Sequence, residues 1–413
     1  MHSKYIIVGS SHAALEAAAA IRLVDADGML TLLTRDSHLP YSPTILPYVV
    51  SGRSQPDNVV LRDQAYFRDN AIAFMPGTSV VSVDPAQSSL RLASGETWRY
   101  DRLLIATGAA PALPLLRGLA DVPFHVLRSM DDAIDLRQAI GKAQSAIVLG
   151  AGLIGMHAAE NMAKAKIAVT VVELQPHALS GYFEPNASAI IEHTFARNGI
   201  RMLMGQTLNS VERQGDGCLA TLADGKTIAA DLLLVCTGVR PNIGFLGGSG
   251  IEVDAGILVD DWMRTNLPNV WAAGDVAQAR GFWGDKVVNG ILPNAVEQGR
   301  IAGLGMADDA GITPFPGAVP LNTYSFFGQQ AISVGRGSAG SGFEIEESGD
   351  ESVYRRIVLK DGRLVGIATI NDFVDAGIMW QLILRGTDLS PVKAEFIANP
   401  QLTGRQLMSQ IWR

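Results

Sequence analysis

Three glycines and one acid carry the strongest chemical signal in this sequence. Gly150, Gly152 and Gly155 stand in the spacing G-x-G-x-x-G, and Glu173 lies 18 residues beyond the last of them. Backbone amides at such a turn hold a pyrophosphate, provided that no side chain keeps the phosphate away. A carboxylate at that distance accepts hydrogen bonds from an adenosine ribose. Reactive side chains are scarce by comparison. Cys218 and Cys236 are the two cysteines, and neither sits in a C-x-x-C or metal-ligand spacing. Cys236 falls in an apolar run that reads as the inside of a buried strand, so inert thiols are expected.

A cradle of this kind needs a strand before it and a helix after it. Ala146–Leu149 is apolar, residues 156–166 contain neither Pro nor Gly, and Ala168–Val172 is a β-branched run that ends on Glu173. This is a βαβ unit. The N-terminus repeats it in altered form, with a strand from Tyr5 to Val8, the turn Gly9-Ser10-Ser11-His12-Ala13-Ala14, an Ala-rich helix to about Val24 and a strand from Leu30 to Thr34. Ser11 takes the place of the middle glycine and Ala14 that of the last. Thr34 stands where the ribose acid belongs, and Asp36 is the substitute. Two apolar strands close on like endings, Thr107-Gly108 and Thr237-Gly238. Gly274-Asp275 follows a third, where a helix N-terminus is expected and an acid receives sugar-alcohol hydroxyls.

The 413 residues imply two or three domains. With 47% apolar residues, 18% charged and 43 glycines, the composition is that of an α/β protein with many tight turns. A net charge of −8 without a Lys/Arg run argues against nucleic acid and anionic membranes as partners. No apolar stretch reaches the ~20 residues of a membrane-spanning helix. The first strand begins at Lys4, which leaves no room for a signal peptide, and a cytoplasmic location is expected.

With these motifs together, the chain resembles the FAD-dependent pyridine nucleotide oxidoreductases related to glutathione reductase, over almost its whole length. The resemblance implies an α/β architecture of two Rossmann-like nucleotide-binding domains, with an NAD domain inserted in an FAD domain, and a small C-terminal α+β domain. The boundaries it implies are 1–113 and 244–314 for FAD, 114–243 for NAD and 315–413 for the terminal domain. Asp275 matches the acid that holds the flavin ribityl chain. Asn294 and Ala295 open the helix whose N-terminal turn faces the flavin pyrimidine carbonyls, where the dipole favours negative charge. Within the family, His38-Leu39-Pro40-Tyr41-Ser42 resembles the rubredoxin and ferredoxin reductases and the flavin portion of NADH-dependent nitrite reductase. From Tyr354 to Gly377 the terminal stretch reads as strand, hairpin turn, strand and helix start, as in the small domain of those reductases. The segments Gly335–Gly342 and Glu344–Glu351 read as an exposed hairpin end.

The departures from the family are as informative as the matches. Thr44-Ile45-Leu46-Pro47-Tyr48 resembles the C-G-L-P-Y motif of NADH oxidases and coenzyme A disulfide reductases, with Thr44 in place of the redox cysteine. Tyr48 stands at a position where ferredoxin-type reductases often carry a Lys, and His157 at the position of its Glu partner. Removing one of two paired charges strands the other at a cost of about 3–5 kcal/mol, whereas removing both is close to neutral. Thr44, Tyr48 and His157 are therefore the candidate redox-site residues. Without a thiol or an acid–base pair, the chemistry left is that of the cofactors, FAD and NAD. The resemblance implies a subunit that passes electrons between nicotinamide and an iron–sulfur partner, with an NADH oxidase or quinone reductase and a redox-sensing flavoprotein as alternatives. Phe282-Trp283 and Met379-Trp380 are candidate interface aromatics or core residues, and the terminal domain is the expected homodimer or hetero-oligomer surface.

The residues after Glu173, Leu174-Gln175-Pro176-His177, include no Arg or Lys. A carboxylate about 4 Å from a 2′-phosphate costs roughly 4 kcal/mol per unit charge at an effective dielectric near 20. NADH should therefore exceed NADPH in kcat/KM by at least ~100-fold, and Glu173→Ser should narrow the gap. Equal values for the two cofactors would remove Glu173 from the ribose site.

Overall fold

The computed structural model describes residues 3–337 and 341–411. The chain divides into two units, one of Met1–Leu46, Ser54–Ala110 and Val239–Ala318, the other of Pro47–Arg53, Pro111–Gly238 and Val319–Arg413.

The first unit is built on a parallel sheet in the order Val270–Ala272, Arg102–Ile105, Lys4–Val8, Met29–Leu33, Ile72–Met75. A parallel sheet covered on both faces requires strands that are apolar throughout, and Ile6, Ile7, Leu32, Leu104 and Ile105 are fully buried. The first strand lies at the centre and feeds the helix His12–Val24. That helix packs against Leu292–Met306 through small residues alone. A Cβ at Gly299 would stand 2.3 Å from the Ala13 carbonyl oxygen, and one at Gly303 would stand 2.4 Å from that of Ala17. The four-residue spacing of both pairs lets the helices touch backbone to backbone over one turn. Gly9 leaves the central strand at φ +135, with its missing Cβ aimed at the Ala106 carbonyl oxygen 2.1 Å away.

The second unit repeats the plan with a four-stranded parallel sheet, in the order Arg201–Met204, Ala168–Glu173, Ser145–Leu149, Leu232–Val235. The helix Leu153–Lys164 follows the Gly150 turn and ends where Lys166 turns left-handed at φ 68. The remaining strands of the second unit include an antiparallel sheet of five, ordered Leu321–Phe326, Gln329–Gly335, Arg363–Ile370, Tyr354–Lys360, Glu344–Gly349. Asp361 and Gly362, at φ 50 and 70, make the tight turn anticipated between Tyr354–Lys360 and Arg363–Ile370. Asp375 caps the helix Ala376–Leu384 by accepting from the Gly377 and Ile378 amides.

One reading does not hold. Gln329–Gly335 and Glu344–Gly349 are not neighbours in the sheet, so they do not form a hairpin with each other; residues 338–340 of the Gly/Ser stretch lie outside the described residues. For the acidic segment the reading does hold: Glu344–Gly349 is the edge strand, with all six residues exposed, and makes a hairpin with the antiparallel Tyr354–Lys360. Charged side chains on such an edge deter pairing with other sheets. Among the described residues, no helix is long and apolar enough to cross a membrane.

Gly303→Ala sets two effects of opposite sign against each other. Alanine is favoured in a helix interior by about 1 kcal/mol, but the clash with the Ala17 backbone belongs to the overpacking class, at about 1–3 kcal/mol or more. The clash should win. Urea unfolding of the variant should show a lower midpoint and reduced flavin content; a midpoint above that of the parent chain would mean that the two helices are not fixed this closely.

Candidate functional site: two dinucleotide turns

In the second unit each glycine of the motif does a separate job. Gly150 has φ +109, and a Cβ there would lie 2.3 Å from the Cys236 carbonyl oxygen. A Cβ on Gly155 would lie 2.1 Å from the Gly150 carbonyl oxygen. Both are glycine because the fold leaves no room. Gly152 differs: its φ of −75 and ψ of 177 suit any residue, and a Cβ would meet nothing within 4 Å. The space it leaves clear is at the helix N-terminus, where unpaired amides and the dipole attract an anion. Glu173 is fastened to this turn, accepting from the Ala151 amide at 2.6 Å and the Gln175 amide at 2.8 Å. Each carboxylate oxygen keeps a further lone pair for a ribose hydroxyl.

In the first unit the turn holds without its later glycines. Ser11 is the extended residue before the helix, and its side chain makes no capping hydrogen bond. Ala14 is buried beneath it. Asp36 accepts from the His38 amide and from the Tyr41 hydroxyl at 2.7 Å, which orders the loop after the second strand. Gly274 has φ +79, and its missing Cβ would fall 3.1 Å from the Ala13 Cβ. Its amide donates to Gln298 Oε1 at 2.9 Å. Asp275 follows it, but no helix starts there: the chain enters the short strand Ala277–Arg280, because Val276, Ala277 and Ala279 are drawn into the core. The helix arrives later, at Leu292, and holds Asn294, Ala295 and Gln298 in its first two turns. The Asn294 Nδ2 is buried with no hydrogen-bond partner among the described residues, a donor that a ligand acceptor would satisfy.

The two Thr-Gly endings turn out to be staples. Thr107 donates to the Asn242 carbonyl at 3.0 Å while the Asn242 side chain donates back to the Thr107 carbonyl at 2.8 Å. Thr237 donates to the Ala112 carbonyl at 2.6 Å. Gly108 and Gly238 turn the chain with φ of 64 and 103.

Of the three redox candidates, Thr44 is exposed in the short helix Pro43–Ile45 of the first unit, and its hydroxyl bonds to Ser42 Oγ at 2.7 Å. Tyr48 and His157 belong to the second unit. Tyr48 is exposed, and its segment is tied to the His157 helix by Asn161, which donates to the Pro47 carbonyl at 2.9 Å. His157 is held edge-on against Tyr324, ring centroids 4.6 Å apart. Burial lowers its pKa, as Lys164 also does, against the opposing pull of Glu160. The ring is therefore neutral at neutral pH. Glu160 is itself committed, accepting from Lys164 at 2.5 Å and from the Phe327 amide at 2.8 Å.

Neither cysteine is activated. Cys218 is buried, which raises its pKa. Cys236 lies just beyond the strand Leu232–Val235 and is half-buried rather than inside the strand; burial of its thiol pushes the pKa up to about 12. Sequence reasoning missed His12, Gln298, Asn242 and Tyr324. Gln298 alone had a signal, its four-residue spacing from Asn294 on the same helix.

Two glycine turns at helix N-termini, each on a parallel sheet, define a dinucleotide-binding flavin reductase fold. Residues 3–299 match the pyridine nucleotide-disulphide oxidoreductase family, and the chain belongs to it. It is 51% identical, over 100% of its own length and 99% of the relative's, to the NADH-dependent phenylglyoxylate dehydrogenase subunit epsilon of Aromatoleum evansii. It is 30% identical to the rubredoxin-NAD(+) reductase of Pseudomonas putida, over 75% of this chain and 82% of that one. The ferredoxin reductase for the CYP199A2 system of Rhodopseudomonas palustris superposes with a TM-score of 0.81 at 28% identity, covering 89% of this chain and 91% of that one. FAD and NAD(H) are the cofactors, and the protein is an oxidoreductase. The chain's own features fit them: the clear space at Gly152, the anchored Glu173 and the unpaired Asn294 donor.

Because nothing in the chain crowds Gly152, Gly152→Ala should leave the melting temperature unchanged within a degree or two while raising the Kd for NADH about tenfold or more. Calorimetry and fluorescence titration check the two halves. Loss of stability without loss of affinity would make Gly152 a folding residue.

Proposed function

We propose that this chain is the FAD-containing, NAD(H)-linked subunit of an oxidoreductase that passes electrons between nicotinamide and an iron–sulfur partner without a redox cysteine. The observation that carries the reading is the threonine at position 44 together with two thiols whose pKa values are raised by burial. A thiolate route needs a lowered pKa. The full-length similarity to an NADH-dependent dehydrogenase subunit supports the same branch.

The FAD domain is assigned to 1–113 and 244–314, the NAD domain to 114–243 and the interface domain to 315–413. When bound, the flavin takes hydride from nicotinamide and exchanges single electrons with a metal centre. The chain supplies binding and alignment. Gly150, Gly152 and Gly155 hold the NAD pyrophosphate at the N-terminus of Leu153–Lys164, and Glu173 receives the adenosine ribose. Gly9, Ser11 and Ala14 do the equivalent for FAD, with Asp36 at the adenosine end and Asp275 on the ribityl hydroxyls. Asn294 and Ala295 present a helix N-terminus to the flavin ring. Thr107, Gly108, Thr237 and Gly238 shape the turns beside the two cofactors. Thr44 offers the flavin an uncharged hydroxyl, and Tyr48 and neutral His157 offer uncharged rings to the flavin or the nicotinamide, so hydride transfer involves no acid or base from these positions.

The terminal domain serves a homodimer or docks a neighbouring subunit, and the location is cytoplasmic. Trp380 donates to the Val319 carbonyl at 3.1 Å and Trp283 stacks edge-on with Phe282, which gives both indoles a packing role besides any interface role.

The test compares the lone chain with the assembly purified from its native host. The chain should reduce artificial dyes with NADH, resist alkylation, and react slowly with oxygen, quinones and disulfides. The assembly should contain iron and show faster NAD-linked turnover. Rapid oxygen or quinone reduction by the chain alone, with no co-purifying iron, would replace this reading with an oxidase; loss of turnover in folded, flavin-loaded Cys218→Ser or Cys236→Ser would restore a thiol mechanism.

A further inference from the structure

His12 is the first residue of the helix that follows the Gly9 turn, and the motif gives it no role. Its ring is half-buried, and Nε2 lies 2.9 Å from Ser42 Oγ, which lies 2.7 Å from Thr44 Oγ1. The choice of partner matters. A carbonyl against Nε2 would demand a donor, and an amide N–H would demand an acceptor. A hydroxyl followed by a second hydroxyl accepts either. With Nε2 unprotonated the chain donates from Thr44 to Ser42 to His12, whereas with Nε2 protonated it reverses, and no hydrogen bond is lost. The ring is thus free to titrate in place.

The surroundings pull the ring both ways, with burial the largest influence. Burial lowers the His12 pKa, Glu16 on its own helix and Asp275 after the neighbouring strand raise it, and Arg62 from the adjoining loop lowers it. A new negative charge at the helix N-terminus tips that balance, and the dinucleotide turn is where one arrives.

We propose that His12 is a proton-linked positioning residue of the FAD site: when the FAD pyrophosphate settles at the turn, the ring takes up a proton, and the Ser42 and Thr44 hydroxyls reverse to keep the chain intact. The proton comes from solvent, forms an N–H bond on the ring and returns to solvent when FAD leaves; no bond of FAD changes. The inference rests on the assignment of FAD to this turn. The sign follows from linkage. Bound anion favours the cation, so the His12 pKa is higher with FAD than without it. FAD affinity then falls as pH rises, through a window that opens at the lowered pKa of the flavin-free chain and closes at the higher pKa of the loaded one.

The experiment is calorimetric titration of FAD into the flavin-free full chain near neutral pH, in two buffers of different ionisation enthalpy, with Kd followed between about pH 5.5 and pH 8. The wild type should take up a fraction of a proton and lose affinity with pH by at most about tenfold per unit. His12→Gln, or His12→Asn if that variant folds poorly, should take up none and show a flat profile. FAD binding without proton uptake by the wild type, or equal uptake in the variants, overturns the inference and leaves the FAD assignment standing. Failure of the wild type to bind FAD at any pH overturns both.

Discussion

A pyrophosphate can be held by backbone amides only where a helix N-terminus is bared and no Cβ stands in the approach. Much of this chain answers to that constraint. In each unit an inner parallel strand, buried after its first residue, delivers the chain to the turn, and a glycine with positive φ turns it against a neighbouring carbonyl. In the second unit the constraint is met by three glycines, two demanded by the fold and one by the space in front of it. In the first, Ser11 and Ala14 are tolerated, and the closeness is transferred to the contact between two helices at Ala13, Ala17, Gly299 and Gly303. That contact brings the Leu292–Met306 helix, with Asn294 and Gln298, to the turn.

The three candidate redox positions are each occupied by an uncharged side chain. Thr44 is a hydroxyl where a thiol would react, Tyr48 is a phenol and His157 a neutral imidazole. The one acid near His157 on its helix, Glu160, is bound to Lys164 and to a backbone amide. The thiols that do exist are held protonated by burial. A thiolate or acid–base route has no evident source at these three positions. An acidic chain with this property suits a lasting complex better than a diffusing encounter with another acidic protein, since like charges slow association.

The resemblance to solved reductases fits the division of labour. Fold and cofactors persist at modest identity because they depend on small residues at fixed spacings, which few substitutions can replace. The redox candidates are single residues, and two of them, Thr44 and Tyr48, have exposed side chains.

From the sequence alone the two βαβ units, the G-x-G-x-x-G turn, Glu173, the terminal hairpin and helix, and the missing thiol were legible, because each is written in local spacing: alternation, helix length, glycine position, or the identity of one residue. What lay beyond reach depends on residues distant in the chain. That Thr107 and Thr237 staple loops was decided by Asn242 and Ala112, brought to them by the fold. That Gly274-Asp275 leads into a strand was decided by the core that claims Val276 and Ala277. The strand order separated Gln329–Gly335 from Glu344–Gly349 and made the acidic segment an edge. His12 gained a partner only because the loop at Ser42, 30 residues away, folds back onto the helix N-terminus. Spacing along the chain fixes which backbone is bared; only packing in three dimensions decides which side chains come to meet it.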